Sequence, residues 1–374
     1  MKKIFICAGG TGGHIFPSLC IAQNMRRYNK SLQVIFLGTK RGLEKKILPD
    51  EGFAVEFVRA RGWDRQLNSR LLLTIMDNVF GFFQTLYCFL KHRPVALLAM
   101  GSYVSLLGAM WARVFRVPIY LHEQNVYPGL ANRIIAKWAK LIFLSTEESK
   151  EFFKNVPTDK MVVIGNPIRE EVASWKGLVD EARAKLRLDP HKKTLLIMGG
   201  SLGSQIINRV FWEILPHFSP QEFQIIHITG AEDFQRGREK TKEFGFNYLV
   251  FDFFSNPGIL MAASDLVVAR AGASTVFELF YFGLPSVLIP FAQAADGHQL
   301  MNARWLAAKQ KAIVLEEEEL SGMKLKEAID QLLRDNLSLQ REERRLIPDA
   351  GEKITRIVIE DLQRRKGFDT LFAS

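Results

Sequence analysis

Cysteine is scarce: Cys7, Cys20 and Cys88 are the only three in 374 residues, and no C-x-x-C spacing joins them. That excludes a disulfide framework and a zinc site of the usual spacing, and predicts a reducing, cytoplasmic setting. No D-x-D or D-x-E occurs anywhere, so a diphosphate bridged to the protein through aspartate-bound magnesium is not expected, and neither a metal nor another cofactor is predicted. The N-terminus has no long apolar run, only a short one after Lys2 and Lys3, so no signal peptide is expected. Acidic residues are thin in the first half. Residues 1–165 carry 23 Lys/Arg against 11 Asp/Glu, a balance of +12, whereas residues 166–374 carry 27 against 29, a balance of −2. A cationic half suits an anionic membrane surface, a nucleic acid or an acidic substrate; a solvated basic face is the plain alternative.

What is present is ordinary globular composition, 48% apolar and 24% charged, in a chain long enough for two cores. The run Ile4 to Ala8 meets Gly9, Gly10, Gly12 and Gly13, paired around Thr11, with His14 next and an amphipathic pattern from Ile15 to Tyr28. Strand, tight loop and helix follow from that pattern. Glycines there let backbone N–H groups approach an anionic or polar ligand at a helix start. The spacing is not the dinucleotide G-x-G-x-x-G. In a loop with few side chains, His14 is the group able to move a proton near neutral pH. A tight turn with a helix-capping histidine is the structural alternative.

Further strand-length runs at 33–37, 53–58, 95–100, 117–121, 141–144 and 161–164 alternate with helical patterns, the sign of βαβ units and parallel sheets. Gly165-Asn166-Pro167 breaks the pattern. The second half restarts with Thr194 to Met198, a loop Gly199-Gly200-Ser201-Leu202-Gly203-Ser204 and a helix from Gln205, followed by strand runs at 223–229, 248–251, 266–269, 286–289 and 312–315. The expected fold class is α/β, two Rossmann-like domains with parallel sheets facing across a cleft. The expected boundaries are 1–165, 166–348 and a C-terminal helix and tail, 349–374, packing back toward the first domain.

Leu71 to Leu90 is long and apolar enough for a membrane span. Yet Thr74, Asp77, Asn78, Gly81, Gln84, Thr85 and Cys88 draw a polar or small stripe along it, and Arg59, Arg61, Arg65, Arg70, Lys91 and Arg93 flank it. Asp77 and Gln84 are costly in hydrocarbon. A helix lying at a membrane interface and a helix buried against the sheet both fit, and one helix can be both.

Other polar groups sit where strands end. Gly101-Ser102-Tyr103-Val104-Ser105 opens a third helix. His122-Glu123-Gln124-Asn125, placed after a strand ending at Leu121, forms a candidate acceptor pocket. In the second half Arg270 to Glu278 runs from a strand into a helix whose small residues expose N–H groups for a diphosphate, while the Glu278 carboxylate suits a ribose diol. Asp296-Gly297-His298-Gln299 suits sugar hydroxyls, and Arg169 with the helix starts would carry leaving-group charge.

The ordered set GGTGGH, GSYVS, HEQN and GNPIR, then GGSLGS, RAGASTVFE and HQLMNA, closely resembles the MurG family of UDP-N-acetylglucosamine transferases of peptidoglycan synthesis. The match runs from Lys3 to Ile347. It implies a GT-B type inverting transferase moving N-acetylglucosamine from UDP-N-acetylglucosamine to the C4 hydroxyl of undecaprenyl-diphosphate-linked N-acetylmuramoyl-pentapeptide (lipid I), giving lipid II. The first domain would then take acceptor and membrane, the second UDP-sugar. By the resemblance His14 is the general base, and Thr11, Gly12, Gly13 and Asn125 line the sugar and acceptor side. Ser201 and the turn Ala273, Ser274, Thr275 and Val276 hold the diphosphate with Arg169 nearby, and Phe277 is counted with that turn. Glu278 holds the ribose, the main chain near Phe254 meets the uracil, and Gln299 takes the N-acetylglucosamine hydroxyls. Implied partners are UDP-N-acetylglucosamine, lipid I, the anionic cytoplasmic face of the plasma membrane as a peripheral protein, and cell-wall synthesis proteins; no nucleic acid is implied. Leu202 and Ser204 depart from the family's usual Gln and Ala, and Ser102 from a second Gly.

Three rival readings fit the residues less well. A nicotinamide oxidoreductase needs an acidic residue at the end of the second strand, which instead runs into Gly38-Thr39-Lys40. A related GT-B transferase acting on another lipid or a soluble acceptor would share the nucleotide half and differ in the first domain, where HEQN argues against it. A basic membrane- or RNA-binding protein has no need of three glycine turns and His14.

Overall fold

A computed structural model of the chain describes residues 1–10, 12–62, 69–200, 203–334 and 349–364. It divides into two compact units, Met1–Ile168 with Ile347–Ser374, and Arg169–Leu346. Each is built on one parallel sheet, the α/β class that the alternation of runs predicts.

In the first unit, strands β1 (Lys2–Cys7), β2 (Leu32–Gly38), β3 (Ala54–Phe57), β4 (Ala96–Ala99), β5 (Ile119–Glu123), β6 (Leu141–Leu144) and β7 (Met161–Val163) lie in the order β3-β2-β1-β4-β5-β6-β7. The helices that matter for the site are α1 (Gly12–Tyr28), α2 (Glu44–Asp50), α3 (Ser69–His92), α4 (Ser102–Val114) and α5 (Leu130–Ile135). Successive β1 side chains feed opposite faces, as a pleat of period two requires: Ile4 and Ile6 enter one core, Phe5 and Cys7 the other. The first core is closed by the helix Ala350–Gln363, which brings Ile354, Val358, Ile359 and Leu362 onto α1. This second cover explains why α1 buries Ile15, Ser18, Leu19, Ile21, Ala22 and Met25 on more than one side instead of showing the single apolar face expected. Asp361 anchors it, accepting from the Tyr120 hydroxyl and pairing with Lys140.

Helix α3 is amphipathic in reverse. Thr74, Thr85 and Cys88 are buried, whereas Leu72, Val79, Phe80, Phe83, Tyr87 and Leu90 are each at least half exposed. The inward polar stripe serves the chain that crosses it. The Arg59 N–H donates to Gln84 Oε1 at 2.8 Å, the Arg61 N–H donates to Asn78 Oδ1 at 3.0 Å, and Asn78 Nδ2 donates back to the Arg61 carbonyl at 3.2 Å. A Cβ on Gly81 would stand 1.7 Å from the Arg59 carbonyl oxygen, so only glycine admits that crossing. Asp77 pairs with Arg61 and, at 3.1 Å, with Arg41. The segment Leu72–His92 is long and apolar enough to cross a membrane by length and composition, with 28% of it buried.

In the second unit β8 (Lys193–Met198), β9 (Phe223–Ile228), β10 (Tyr248–Phe251), β11 (Leu266–Ala269), β12 (Ser286–Leu288) and β13 (Ala312–Val314) lie in the order β10-β9-β8-β11-β12-β13. Its core joins Leu195, Ile197, Ile225, Val268 and Val287 to Phe211, Trp212, Ile329 and Leu332.

Candidate active site

Strand order reverses between β1 and β4 in the first sheet and between β8 and β11 in the second. Parallel sheets bind ligands outside the strand ends at such points.

In the first unit the loop after β1 is held from behind. Glu44, fully buried in the first turn of α2, accepts from the Gly10 N–H at 3.2 Å, the Thr39 N–H at 3.0 Å and the Thr39 hydroxyl at 2.7 Å. Sequence reasoning missed Glu44, because a glutamate in Arg41-Gly42-Leu43-Glu44-Lys45-Lys46 reads as a solvated helix face. Gly12 and Gly13 begin α1, and His14 follows half-buried; its ring lies against the glycine that opens α4, where a Cβ on Gly101 would be 2.8 Å from His14 Cε1. Gly101 also has φ +94, a conformation that disfavours any side chain. Thr11 lies outside the described residues.

The HEQN run needs a correction. Pairing of β5 with β6 continues through His122 and Glu123, so these belong to the strand rather than to a loop beyond Leu121, and with Gln124 they are buried. They cannot line a pocket directly. Burial pushes the Glu123 carboxyl up, opposed by donors: the Asn125 and Gly129 N–H groups and Asn132 Nδ2, the last at 2.7 Å. Glu123 thus shapes the turn that presents Asn125, whose own Nδ2 donates to Glu123 at 3.2 Å. Gln124 reaches His14, its Oε1 at 3.1 Å from Nδ1.

In the second unit two helices begin side by side at the switch point, Gln205–Ile214 after β8 and Ala273–Phe282 after β11. The loop between β8 and its helix requires glycine twice: a Cβ on Gly199 would be 2.2 Å from the Ser204 nitrogen, and one on Gly203, at φ +79, would be 2.3 Å from the Thr229 carbonyl oxygen. Ser201 and Leu202 lie outside the described residues. Ser204 Oγ at one helix start and Ser274 Oγ at the other are buried with no hydrogen-bond partner among the described residues. Buried hydroxyls in that state are uncommon, and at helix N-termini they suit ligand oxygens.

Glu278 lies in the helix Ala273–Phe282 and is 7% exposed. Burial pushes its carboxyl up to about 7, with the Arg169 guanidinium pulling the other way. Arg169 also pairs with Glu171 at 2.6 Å. No protein hydrogen-bond donor meets the Glu278 carboxylate among the described residues, and a buried carboxylate left so is expensive unless something else donates to it. Ala273, Thr275 and Val276 make up the rest of the turn. Phe277 is 1% exposed with its ring 4.9 Å from Trp305, so its side chain is core and only its main chain is left for a ligand. Gln299 Oε1 accepts from the Phe291 N–H at 3.0 Å, which leaves its amide nitrogen as the donor end. Phe254, beyond β10, is half-buried with its ring 4.7 Å from Phe251.

Two doubly wound parallel sheets, each with polar side chains gathered at its switch point, are the architecture of the GT-B fold. The chain belongs to glycosyltransferase family 28: residues 4–144 match the family's N-terminal domain and residues 194–357 its C-terminal domain. Among its relatives, the UDP-N-acetylglucosamine–N-acetylmuramyl-(pentapeptide) pyrophosphoryl-undecaprenol N-acetylglucosamine transferase of Halalkalibacterium halodurans is 35% identical over 96% of this chain and 99% of that protein. The Bacillus subtilis protein of the same name is 33% identical over 97% and 100%. Of solved structures, MurG of Acinetobacter baumannii is similar with a TM-score of 0.75 at 23% identity, over 96% of this chain and 100% of that one. A UDP-GlcNAc 2-epimerase from Neisseria meningitidis also shares the fold, with a TM-score of 0.68 at 14% identity over 96% and 100%.

Proposed function

We infer that this chain transfers N-acetylglucosamine from UDP-N-acetylglucosamine to the C4 hydroxyl of undecaprenyl-diphosphate-linked N-acetylmuramoyl-pentapeptide, giving lipid II and UDP with inversion at the anomeric carbon. The reading rests on the relatives' shared activity and on one observation in this chain: a buried carboxylate, Glu278, that meets the Arg169 charge but no hydrogen-bond donor among the described residues. A ribose diol supplies two donors to it, and the adjacent helix starts with Ser204 and Ser274 take the diphosphate. Gln299 donates to the sugar, and the main chain near Phe254 meets the uracil.

His14 is the general base. As the acceptor oxygen bonds to C1 of the donor, the bond from C1 to the β-phosphate oxygen breaks, UDP leaves with that electron pair, and the acceptor proton passes to the imidazole. Gly12, Gly13 and Asn125 line the acceptor side. The apolar face of α3, with a groove of about 580 Å³ lined by Ile75, Val79, Phe82, Phe83, Leu107 and Met110, docks on the cytoplasmic leaflet, with flanking arginines on anionic headgroups.

Labelled UDP-N-acetylglucosamine offered with a lipid I analogue, with and without EDTA, tests donor, acceptor and metal together. Label in lipid II, undiminished by EDTA, is expected. Label that stays in the donor or appears only as free sugar overturns the reading.

A further inference from the structure

Three groups behind His14, the Gln124 amide, the His122 ring and the Gly165 carbonyl, form a chain in which each hydrogen can be assigned from its neighbour. At the far end His122 Nε2 lies 3.2 Å from the carbonyl oxygen of Gly165. A carbonyl only accepts, so Nε2 of His122 carries hydrogen. His122 is fully buried, which pushes its pKa down to about 4 and leaves the ring neutral. Its Nδ1 is then an acceptor. Gln124 Nε2 lies 3.0 Å from that Nδ1 and 3.3 Å from the His122 carbonyl oxygen, two acceptors that call for the NH2 end of the amide. The orientation of Gln124 is therefore set by chemistry and not by convention. Its oxygen faces His14 Nδ1 at 3.1 Å. That oxygen accepts, so His14 Nδ1 donates.

We propose that His122 and Gln124 are positioning residues that hold His14 in its Nδ1–H tautomer, leaving the lone pair on Nε2 for the proton of the acceptor alcohol. The inference rests on His14 being the base and says how the fold prepares it. An amide stands where many catalytic histidines have a carboxylate, so the ring is oriented without an added charge. Glu123, the nearest acid in sequence, is turned away into the bonds of Asn125, Gly129 and Asn132. Gly101 gives the ring its space.

The test uses full-length protein labelled with 15N-histidine and two-bond 1H–15N correlation spectra, which distinguish the two neutral tautomers. His14 signals are assigned by their loss in His14→Gln. The wild type should show His14 as Nδ1–H, Gln124→Leu should move it toward Nε2–H, and Gln124→Glu, which keeps an oxygen there, should restore Nδ1–H. In the transfer assay Gln124→Leu should lower kcat about 10- to 100-fold with donor KM within about 2-fold, and Gln124→Glu should recover most of it. An Nε2–H tautomer in the wild type overturns the proposal without any variant, and so does a tautomer unmoved by Gln124→Leu. Wild-type turnover in His14→Gln would instead remove the base assignment, and the catalytic purpose of the chain of bonds with it.

Discussion

The two switch points solve opposite problems on the same fold. In the first unit the groups that hold His14 and its loop are paired, Glu44 with Gly10 and Thr39, Gln124 with His14 and His122, and His122 with Gly165, although Ser102 Oγ at the start of α4 is buried with no partner among the described residues. In the second, Glu278 meets no hydrogen-bond donor and the hydroxyls of Ser204 and Ser274 have no partner among the described residues. A satisfied network rigidifies, which is what a proton acceptor needs; an unsatisfied one stores affinity for a ligand that completes it.

The sharpest way to break the comparison is His14→Ala. Turnover should fall by about two to four orders of magnitude, while the affinity for UDP-N-acetylglucosamine measured by calorimetry stays as in the wild type. A parallel loss of affinity would show that the two units do not divide the work. Next in size is a stability effect confined to the second unit. A carboxyl whose pKa is raised on folding from 4.5 to about 7 binds its proton more tightly in the folded state, so its contribution is fully present below pH 4.5 and lost as pH rises through about 7. That loss amounts to roughly 3 kcal/mol. Glu278→Gln should therefore raise Tm above pH 7 and flatten its dependence on pH, and no matching gain is expected on removing a paired acid such as Glu44.

Glu278→Ala should weaken UDP and UDP-N-acetylglucosamine alike by about 10- to 100-fold, the worth of hydrogen bonds to a charged group. A loss restricted to the sugar-bearing ligand would move Glu278 off the ribose. In the wild type the affinity for UDP-N-acetylglucosamine should also fall as pH drops below about 7, because a protonated carboxyl accepts fewer bonds; Glu278→Gln should abolish that slope. Smallest is the effect of Phe80→Ser with Phe83→Ser, exposed residues of the first unit alone. Binding to anionic vesicles should drop about tenfold, with activity on a short-chain soluble acceptor unchanged. Unaltered partitioning would leave α3 without its lipid.

Much of this architecture was legible because its signals are local. Alternating strand-length apolar runs and helical patterns are read off directly, and the predicted helix start at Gln205 is the observed one. The polar stripe on α3 was visible too, but not its purpose, since the sequence cannot show Arg59 passing over Gly81. Legibility failed where long-range pairing decides. His122 and Glu123 look like loop residues by composition, and only the register with β6 draws them into the sheet. Glu44, Gln124 and Ser204 act through partners distant in sequence or through having none, and neither condition leaves a pattern in residue types. Phe277 is adjacent in sequence to the turn that would hold the diphosphate, but alternate sides of a helix meet different surroundings, and its ring packs on Trp305.

The helix Ala350–Gln363 has a consequence for synthesis. Strands β1 to β7 leave the ribosome early, yet the layer that covers α1 arrives only after the entire second unit has been translated. Until then a nascent chain exposes the surface that Ile354, Val358 and Leu362 will seal, so the half made first is the half finished last, and a stop codon before residue 350 would strand it open.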